Sequence, residues 1–409
     1  MRILYVSQYF PPEMGAPAAR VFELAREWRK AGAQVTVLTG FAHHPLGVKA
    51  PEDRWRMTRR ERVEEIDVVR SYIYAAPNRG VGRRMLSYFS FLMSAVPLGL
   101  ARCRKPDVVI ATSPQLLCAC AGYTLARLWR RPFVFEVRDL WPESILAVKA
   151  MSDNTIVRSL KRLAHHLYRH CDCIVTVGEG YQKEIHRRYG INLDKMRLVP
   201  NGIDPELFHP GPKDNEIRRK FGWGDRFVLL YLGTLGMAHG LHCVLEAAAY
   251  LQDDPDKLFV LVGEGAEKED LKRMADRMKL SNVQFIDQQP KALVPRFYAA
   301  CDVGLVTLRD TPLFQNVLPS KIFEYLAMER PLLLSVGGQA RQLVESSGGG
   351  LYVQPDDPIA LARAIRKLES RQAELERMGR RGRDFVLAHY NRRDQARGYL
   401  ELLRDLAAG

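Results

Sequence analysis

The sequence lacks the markers of several common protein classes. Its seven cysteines are odd in number, and the Cys-x-Cys pairs do not have the spacing of a zinc site. Because the cysteines lie in apolar runs, they indicate reduced core residues rather than a disulfide framework. No secretion signal precedes the first predicted strand, which starts directly after Arg2. Low-complexity runs and internal repeats are also missing, and together these absences predict a folded cytoplasmic protein.

No apolar run is predicted to cross a membrane. The uncharged segment 85–100 has 16 residues, and as a helix it would span about 24 Å, less than the ~30 Å of a bilayer's hydrocarbon core. Pro97 interrupts it, and basic residues at 83, 84, 102, 104 and 105 bracket it. We expect the segment to lie on a membrane surface or against the protein. The alternative is a core helix between two strands.

Positive charge is concentrated in one half of the chain. Residues 1–204 contain 32 Lys and Arg against 19 Asp and Glu, whereas residues 205–409 contain 29 against 28. A one-sided basic surface favours an anionic partner such as nucleic acid, a phospholipid leaflet or a lipid pyrophosphate. The alternative is a solvated, arginine-rich surface without a partner.

Strand-like and helical segments alternate in both halves of the 409-residue chain, which is typical of parallel sheets covered by helices. The predicted strands of the first half are 3–6, 35–38, 108–111, 133–137 and 174–177, and those of the second half are 227–232, 258–262, 283–286, 303–306 and 332–334. Prolines and glycines at 205–212 mark a linker between two domains. Ligands of such sheets bind beyond the carboxyl ends of the strands, so we expect the chemistry in a cleft between the domains.

A predicted helix that starts near Pro319 contains an unusual carboxylate. Apolar positions 322, 323 and 326 form one helical face, and Glu324 lies within it. Ser320 is a natural N-cap, and Lys321 lies beside the unpaired amides of the first turn. This arrangement favours phosphate binding by Lys321 and ribose binding by Glu324. The alternative is a capped core helix in which Glu324 pairs with an arginine.

In the first half, Gly15 lies in a loop between a strand and a helix. Because glycine has no side chain, its amide could approach a phosphate closely. The loop lacks the Gly-x-Gly-x-x-Gly pattern, which argues against a nicotinamide dehydrogenase. The alternative is a glycine that is needed only for a tight turn.

Four motifs occur in the order found in retaining family 4 glycosyltransferases, and the chain resembles that family. They are VPNGID (199–204), YLGTLGMAHG (231–240), LVGEGAEKEDL (261–271) and EYLAMERP (324–331). The N-terminal segment that starts YVSQYFPPEMGAPAAR and the segment VRDLWPES (137–144) are similar to the branch that transfers N-acetylated sugars, L-fucosamine transferases among them. The resemblance covers almost the whole chain.

The resemblance implies an α/β protein with the GT-B fold, in which two Rossmann-like domains face each other across a cleft. It places an acceptor-side domain at 1–204 and a nucleotide-sugar domain at 205–380. The C-terminal segment 381–409 is then expected to form a helix that packs back on the first domain.

The resemblance also implies roles for residues of the second half. It places contacts to the nucleotide base near Gly263 and Phe285, and it gives Glu324 the ribose. Many family members carry an arginine near Thr234 and a lysine near His239, both directed at the donor diphosphate. Neither cation is present here.

A further departure concerns the position eight residues before Glu324. Asn316 replaces the usual glutamate there, and its amide can bind the sugar but cannot stabilise positive charge as a carboxylate would. Because the usual cations are missing, we hypothesise that Lys321 supplies the charge that binds the diphosphate. A surface lysine beside a cap is the alternative.

Two residues of the first half are candidates for catalysis. The resemblance suggests that Arg138 contacts phosphate and that Asp139 contacts the sugar or the acceptor hydroxyl. An internal Arg138–Asp139 pair that only holds the loop is an equal alternative. His43 and His44 could reach the acceptor, although paired loop histidines are often incidental.

These expectations combine into a retaining glycosyltransferase that needs no metal or other cofactor. It would move an N-acetylated sugar from a UDP-sugar to a polyprenyl-pyrophosphate-linked saccharide at the inner face of the cytoplasmic membrane, in O-antigen or capsule synthesis. Nucleic acid is not an expected partner. The alternatives are a GT-B-like UDP-sugar epimerase or phosphorylase, and a basic membrane-binding protein without enzymatic activity.

Overall fold

The computed structural model describes residues 1–13, 15–43, 47–75, 81–147 and 154–409. The chain forms two compact units of similar size. The first contains Met1–Pro200 and Arg392–Gly409, and the second contains Asn201–Asn391. The chain therefore leaves the first unit once and returns to it for its last helix.

The first unit is built on an eight-stranded sheet. Its strands are β1 (Arg2–Val6), β2 (Gln34–Gly40), β3 (Thr58–Val63), β4 (Ile66–Ser71), β5 (Val108–Thr112), β6 (Phe133–Val137), β7 (Cys173–Thr176) and β8 (Met196–Leu198). Along the sheet they follow the order β3-β4-β2-β1-β5-β6-β7-β8. All neighbouring pairs are parallel except the β3–β4 hairpin. The carboxyl ends of the seven parallel strands therefore lie along one edge.

In the described ranges of the first unit six helices connect these strands, and the second unit repeats the pattern with a six-stranded sheet. The helices are α1 (Ala16–Lys30), α2 (Val81–Arg102), α3 (Leu116–Trp129), α4 (Glu143–Ala147), α5 (Thr155–His170) and α6 (Glu179–Tyr189). The strands of the second unit are β9 (Phe227–Leu232), β10 (Lys257–Val262), β11 (Val283–Ile286), β12 (Val303–Thr307), β13 (Leu332–Ser335) and β14 (Gly350–Tyr352). They are all parallel, in the order β11-β10-β9-β12-β13-β14.

Eight helices cover the second sheet, and a last one returns to the first unit. The eight are α7 (Glu216–Phe221), α8 (Leu241–Ala249), α9 (Lys268–Arg277), α10 (Val294–Ala300), α11 (Ser320–Ala327), α12 (Gly338–Ser347), α13 (Pro358–Glu369) and α14 (Gln372–His389). The last helix is α15 (Arg392–Ala408). Short 3-10 turns lie at Pro51–Asp53, Leu193–Lys195, Lys291–Leu293 and Phe314–Asn316.

Each face of the first sheet carries its own layer of helices. Residues such as Ile3 and Val35 point into one core, which they share with α1 and α15. There the indole of Trp28 donates to the carbonyl of Ala396 at 2.9 Å and packs edge-on against Tyr399. Because side chains alternate along a strand, the residues between them face the opposite layer, which contains α2 and α3.

Helix α2 is longer than the predicted apolar segment 85–100, and Pro97 lies inside it rather than ending it. By length and composition alone, residues 82–102 form a helix that is long and apolar enough to cross a bilayer. However, Phe91 and Ala95 are buried, and α2 packs against α3 and β4. Gly99 allows this close approach, since a Cβ atom there would lie 2.9 Å from the Leu125 side chain. One face of α2 therefore belongs to the core of the first unit.

Some strands are not predicted from the sequence. The hairpin of β3 and β4 is one example, because β3 reads Thr-Arg-Arg-Glu-Arg-Val and resembles a polar loop. It is an edge strand, and charged side chains are common at sheet edges, where they remain in water and discourage pairing with another chain. The short strands β8 and β14, each of three residues, are also missed.

The boundaries of the two units differ from the predicted ones at 204 and 381. Ile203 belongs to the second unit, where its amide donates to Tyr390 and its backbone pairs with Asn391. The predicted C-terminal helix is two helices, because the chain is extended at Asn391 between α14 and α15. Helix α14 packs on α11 in the second unit, and only α15 packs on α1.

Gly122→Ala should destabilise the first unit. A Cβ atom at Gly122 would lie 2.6 Å from the Cβ of Ala111 and 3.1 Å from the ring of Phe133, so α3 would have to move away from the sheet. Overpacking of this kind destabilises a protein by about 1–3 kcal/mol. We expect a lower thermal midpoint for this variant, measured by circular dichroism.

Gly398→Ala provides the matched control within the same unit. Gly398 lies inside α15, and no atom is within 4 Å of its hypothetical Cβ. Alanine there should stabilise the helix by up to about 1 kcal/mol. Equal melting of both variants would contradict the close packing of α3 on β5.

Candidate functional site

In the second unit, the loops after β9 and β10 meet at the carboxyl edge of the sheet. Gly233 follows β9, and its amide donates to the carbonyl of Val262 at 2.9 Å. Gly263 follows β10, and its amide donates to Ile286 at 3.0 Å. A Cβ atom on Gly263 would lie 1.9 Å from the Gly233 carbonyl oxygen, and both residues have positive φ. Only glycine fits at this contact, so the two loops approach each other with backbone atoms.

The ammonium of Lys321 lies next to the first of these loops. Its Nζ atom is 4.0 Å from the ring centroid of Tyr231, and a Cβ atom on Gly233 would lie 2.9 Å from it. Burial lowers the pKa of Lys321 to about 7, and the nearby Glu324 carboxylate opposes this shift. An aromatic face compensates only part of the lost hydration. An anionic ligand would therefore stabilise the charged form of Lys321.

His239 packs against the same aromatic ring, but it is not a second cation. Its ring meets that of Tyr231 at an edge, with the centroids 5.8 Å apart. Burial, and then the charge of Lys321, lowers the pKa of His239 to about 3. Its Nδ1 atom is buried without a hydrogen-bond partner. His239 is therefore neutral near pH 7 and can offer a ligand a hydrogen bond, but no charge.

Ser320 is the first residue of α11, so the prediction that it is the N-cap is wrong. The N-cap is Pro319, whose extended backbone (φ −60°, ψ 129°) ends the preceding loop, and no side chain caps the helix. The first-turn amides therefore have no side-chain acceptor. Together with Lys321, which is the second residue of the helix, they form a positive end at the carboxyl edge of the sheet.

Glu324 lies one turn further along α11 and is half-buried. The hydroxyl of Tyr298 donates to its Oε2 atom at 2.5 Å. Tyr298 is held in turn against Tyr325, with the ring centroids 4.5 Å apart. The carboxylate is therefore oriented by an aromatic pair, and this pair is not apparent from the motif in the sequence.

Three other predicted site residues lie at or near the same edge. Thr234 is exposed, and its carbonyl accepts from the Tyr231 hydroxyl at 2.7 Å. Asn316 is half-buried and ends the 3-10 turn that precedes α11. The side chain of Phe285 packs against the core of the second unit, so a ligand could meet mainly its backbone.

Sequence reasoning missed Arg309, a second cation at this edge. It follows β12, and its amide donates to the carbonyl of Ala238 in the loop after β9. Its Nη2 atom lies 3.0 Å from Nε2 of His242 and 3.7 Å from Glu267, whereas its Nε atom is buried without a partner. The available signal was an arginine two positions after a buried strand.

In the first unit, Ser113 holds the loop that carries Arg138 and Asp139. Its Oγ atom accepts from the amides of Arg138 at 2.8 Å and Asp139 at 3.3 Å, and it lies 3.2 Å from the Asp139 carbonyl, to which it donates. Burial raises the pKa of the Asp139 carboxyl, opposed by a hydrogen bond from Ser144 and the charge of Arg138. No ion pair joins Arg138 to Asp139 in the described part of the chain, so the predicted internal pair is not formed.

The guanidinium of Arg138 is left without a carboxylate because its neighbour Glu136 is already used. Arg20 Nε donates to one oxygen of Glu136 at 3.0 Å, and the Tyr5 hydroxyl donates to the other at 2.5 Å. The Nε and Nη1 atoms of Arg138 are buried without hydrogen-bond partners. Burial lowers the pKa of Arg138, and the Glu136 charge only partly opposes this. Arg138 is therefore a second desolvated cation that would gain from an anion.

The other predicted residues of the first unit lie in loops after β1 and β2. Gly15 is exposed, has a φ of 138° and is the N-cap of α1. The backbone amide of His43 donates to Glu13 at 3.0 Å, and its Nδ1 atom lies 2.9 Å from the Phe41 carbonyl. Burial lowers the pKa of His43, so the ring is neutral and its other nitrogen is an acceptor. His44 lies outside the described residues.

Each unit therefore has the means to bind an anion at the carboxyl edge of its sheet. The second unit offers Lys321, Arg309 and the start of α11, and the first offers Arg138 beside Asp139. Within the described ranges, no group of three or more His, Cys, Asp or Glu side chains could hold a metal ion. The chemistry that these side chains support is stabilisation of a leaving phosphate by fixed positive charge.

Two family models match the chain in succession. The model described as Glycosyltransferase Family 4 matches residues 18–207, and the model described as Glycosyl transferases group 1 matches residues 213–385. A probable glycosyltransferase of Pseudomonas aeruginosa, WbjE, is 26% identical over 70% of this chain and 72% of its own length. A putative colanic acid biosynthesis glycosyl transferase of Escherichia coli K12, WcaI, is 27% identical over 90% of this chain and 92% of its own length.

Solved structures share the fold of the whole chain. Sucrose-phosphate synthase from Thermosynechococcus elongatus has a TM-score of 0.80 at 20% identity, covering 100% of this chain and 99% of its own. Anabaena HepE in complex with UDP has a TM-score of 0.73 at 17% identity, covering 99% and 100%. These likenesses, with the two sheets described above, confirm the predicted GT-B fold of two Rossmann-like α/β domains.

Lys321→Met should stabilise the protein most at low pH. The pKa of Lys321 is about 7 in the folded protein, against 10.5 for an ordinary lysine. Between these two values the unfolded chain binds more protons, so the wild type gains stability as the pH rises through this window. Below pH 7 it carries the full burden of the desolvated charge. We expect the melting temperature of the variant to exceed that of the wild type at pH 6, by roughly 2–4 °C for each kcal/mol gained in the free energy of unfolding. This difference in melting temperature should narrow by pH 9.

Lys272→Met on α9 is the matched control for this measurement. The Lys272 side chain is 38% exposed, and replacing it should shift the melting temperature equally at both pH values. A constant difference between Lys321→Met and the wild type from pH 6 to pH 9 would contradict a lowered pKa at Lys321.

Proposed function

Because the chain is a GT4-like glycosyltransferase with the GT-B fold, we propose that it transfers an N-acetylated sugar from a UDP-sugar to a lipid-linked saccharide in bacterial cell-envelope polysaccharide synthesis. The observation that carries this proposal is the desolvated ammonium of Lys321 beside the glycine loop of β9. A buried cation at the carboxyl edge of the donor unit is suited to a diphosphate.

The donor nucleotide is bound by the second unit. Lys321 and the first-turn amides of α11 hold the diphosphate, and Arg309 adds charge from the end of β12. Glu324, oriented by Tyr298, accepts hydrogen bonds from the ribose hydroxyls. Anabaena HepE, which has the same fold, has solved structures in complex with UDP and with UDP-glucose, and this supports a uridine nucleotide.

Transfer breaks the bond between the sugar C1 atom and the diphosphate oxygen, and a bond from C1 to the acceptor oxygen forms on the same face. The electron pair of the broken bond leaves with UDP, whose charge the fixed cations stabilise without a metal. Asp139, whose carboxyl has a pKa raised by burial, accepts the proton of the acceptor hydroxyl. Asn316 hydrogen-bonds the transferred sugar.

The acceptor proposal draws on the first half of the chain and on the relatives. WcaI is a putative glycosyl transferase of colanic acid biosynthesis. The similarity of the segments around 5–20 and 137–144 to transferases of N-acetylated sugars favours a donor of the L-fucosamine type. A polyprenyl-pyrophosphate acceptor would suit the net positive charge of residues 1–204. The transfer would then take place at the inner face of the cytoplasmic membrane.

Lys321→Met should weaken UDP binding by roughly 10- to 100-fold, because a charge-assisted hydrogen bond to the diphosphate contributes about 1.5–3 kcal/mol. The affinity for uridine, which has no phosphate, should change little. Isothermal titration of both ligands against the wild type and the variant measures this difference. Equal loss for UDP and uridine would contradict a role of Lys321 at the diphosphate.

Two companion measurements control this result. Glu324→Gln should reduce the preference for UDP over 2′-deoxy-UDP, since the ribose hydroxyl contact is then weakened, and Lys272→Met should change the affinity for neither nucleotide.

A thermal-shift series with UDP and GDP, each with and without its sugar, tests the identity of the nucleotide base. Stabilisation by GDP alone would overturn the uridine assignment.

Asp139→Asn should lower turnover by about 100-fold or more while leaving UDP affinity unchanged, because a general base contributes about 10²–10⁴ to the rate. The readout is UDP release from UDP-N-acetylhexosamine in the presence of bacterial membranes as the acceptor source. Asp194→Asn, an exposed position in the same unit, serves as the control. An unchanged rate in Asp139→Asn would remove this residue from the mechanism.

A further inference from the structure

A pocket lined by arginines lies at the amino-terminal edge of the first sheet, opposite the edge that carries Arg138 and Asp139. Its volume is about 250 Å³. Five arginines line it, and they come from the start of β1, the end of α1, strand β3, and the end of α2 with the segment that follows it. They are Arg2, Arg29, Arg60, Arg102 and Arg104.

Few carboxylates compensate this charge. Asp67 is the acidic residue among those that line the pocket. Arg2 is paired with Asp107 at 3.1 Å, and Arg29 lies 3.7 Å from the exposed carboxylate of Glu65.

Three other arginines of the pocket lack a carboxylate partner within the described ranges. For Arg60, Arg102 and Arg104, no ion pair is formed with any residue that the structure describes, and the Nε atom of Arg29 is buried without a hydrogen-bond partner. Converging like charges repel each other, so an anion in the pocket would relieve this repulsion. The planar fork of arginine matches the oxygens of a phosphate group.

An exposed apolar stripe runs along α2 towards this pocket. It consists of Leu86, Phe89, Met93 and Leu100, whose exposed fractions are 49%, 51%, 59% and 43%. Their spacing places them on one side of the helix over about 21 Å. The opposite side of α2 is buried in the unit, as Phe91 and Ala95 show. Soluble proteins rarely expose a contiguous apolar surface of this kind to water, and such a surface usually marks a site of interaction with a protein or a membrane.

The stripe and the pocket are joined by the direction of α2. The helix follows β4 and precedes β5, which are parallel, so it runs back from the carboxyl edge of the sheet to its amino edge. Its last turn therefore reaches the pocket, where Arg102 and Arg104 follow Leu100 within four residues. Apolar contact and concentrated positive charge thus meet at one end of the helix.

We propose that this surface docks on an anionic phospholipid leaflet, with a lipid phosphate in the arginine pocket and the α2 stripe in the region of the acyl chains. An amphipathic helix that is packed on one side binds in the interface plane, and basic residues add electrostatic attraction to the leaflet. Nucleic acid would match the arginines but not the apolar stripe. The surface is separate from the donor site, and the inference rests on the membrane location proposed above, for which it names the docking surface and the lipid.

Vesicle binding by paired variants tests the proposal. The full chain should float with vesicles of phosphatidylglycerol and phosphatidylcholine, bind more weakly to phosphatidylcholine alone, and lose affinity as salt is raised. Arg102→Ser with Arg104→Ser should weaken binding to the anionic vesicles by about 30-fold, since each basic residue near such a surface contributes about fivefold. Phe89→Ser with Met93→Ser should also reduce binding, and the reduction should persist at high salt.

The control pair removes the same charge from the opposite layer. Arg397 and Arg404 lie on α15, which packs with α1 on the other face of the sheet, and both are exposed. Arg397→Ser with Arg404→Ser should change vesicle binding by less than threefold. Equal losses in the two arginine pairs would show unspecific attraction and overturn the proposal.

Two further arms separate the sources of phosphate and the two proposals. Inorganic phosphate or glycerol 3-phosphate that stabilises the wild type but not Arg102→Ser with Arg104→Ser, without vesicle binding by the wild type, would assign the pocket to a soluble anion and overturn lipid docking. The same pocket variant should keep the wild-type affinity for UDP. Lys321→Met should keep vesicle binding, so failure of the donor site and failure of the docking surface give different results.

Discussion

The buried ion pair between Arg20 and Glu136 is the interaction on which the first unit depends. It joins α1 to β6 inside that unit, and both side chains are buried. Arg20 also donates to the carbonyls of Val199 and Pro200, where the chain leaves the unit. Removing one partner of such a pair typically costs about 3–5 kcal/mol, because the other charge stays buried. Glu136 accepts from Arg20 and Tyr5, whereas the Nε and Nη1 atoms of Arg138 are buried without hydrogen-bond partners.

The same physical principle operates in the second unit by a different route. Lys321 is desolvated beside a glycine loop and an aromatic face, and burial shifts its pKa towards neutrality. In both units a cation is held at the carboxyl edge of the sheet with less compensation than water would give it. The buried cation costs free energy without a counter-charge, so an anionic ligand stabilises it. A leaving diphosphate requires such an arrangement.

Much of the architecture could be predicted because it follows from local patterns. Buried parallel strands are continuous apolar runs, so all five predicted strands of each half are present, whereas the charged edge strand β3 is missed. Ser320 is not the N-cap, because Pro319 takes that position. Lys321 and Glu324 were apparent as candidates from their spacing. Tyr231 and Arg309 were not, since they approach the site through contacts between loops that are distant in sequence.

The sequence by itself determined the two α/β units, the uneven charge and the residue types at the donor edge, since periodicity and composition are properties of short segments. Only the tertiary structure decided which of those residues are compensated. In the folded protein Glu136 pairs with Arg20 rather than with Arg138, and burial keeps His239 neutral. Both alternatives for α2 apply, because one side of the helix is buried and the other is exposed. The physical reason is that desolvation and pairing depend on neighbours in space, which a linear pattern does not specify.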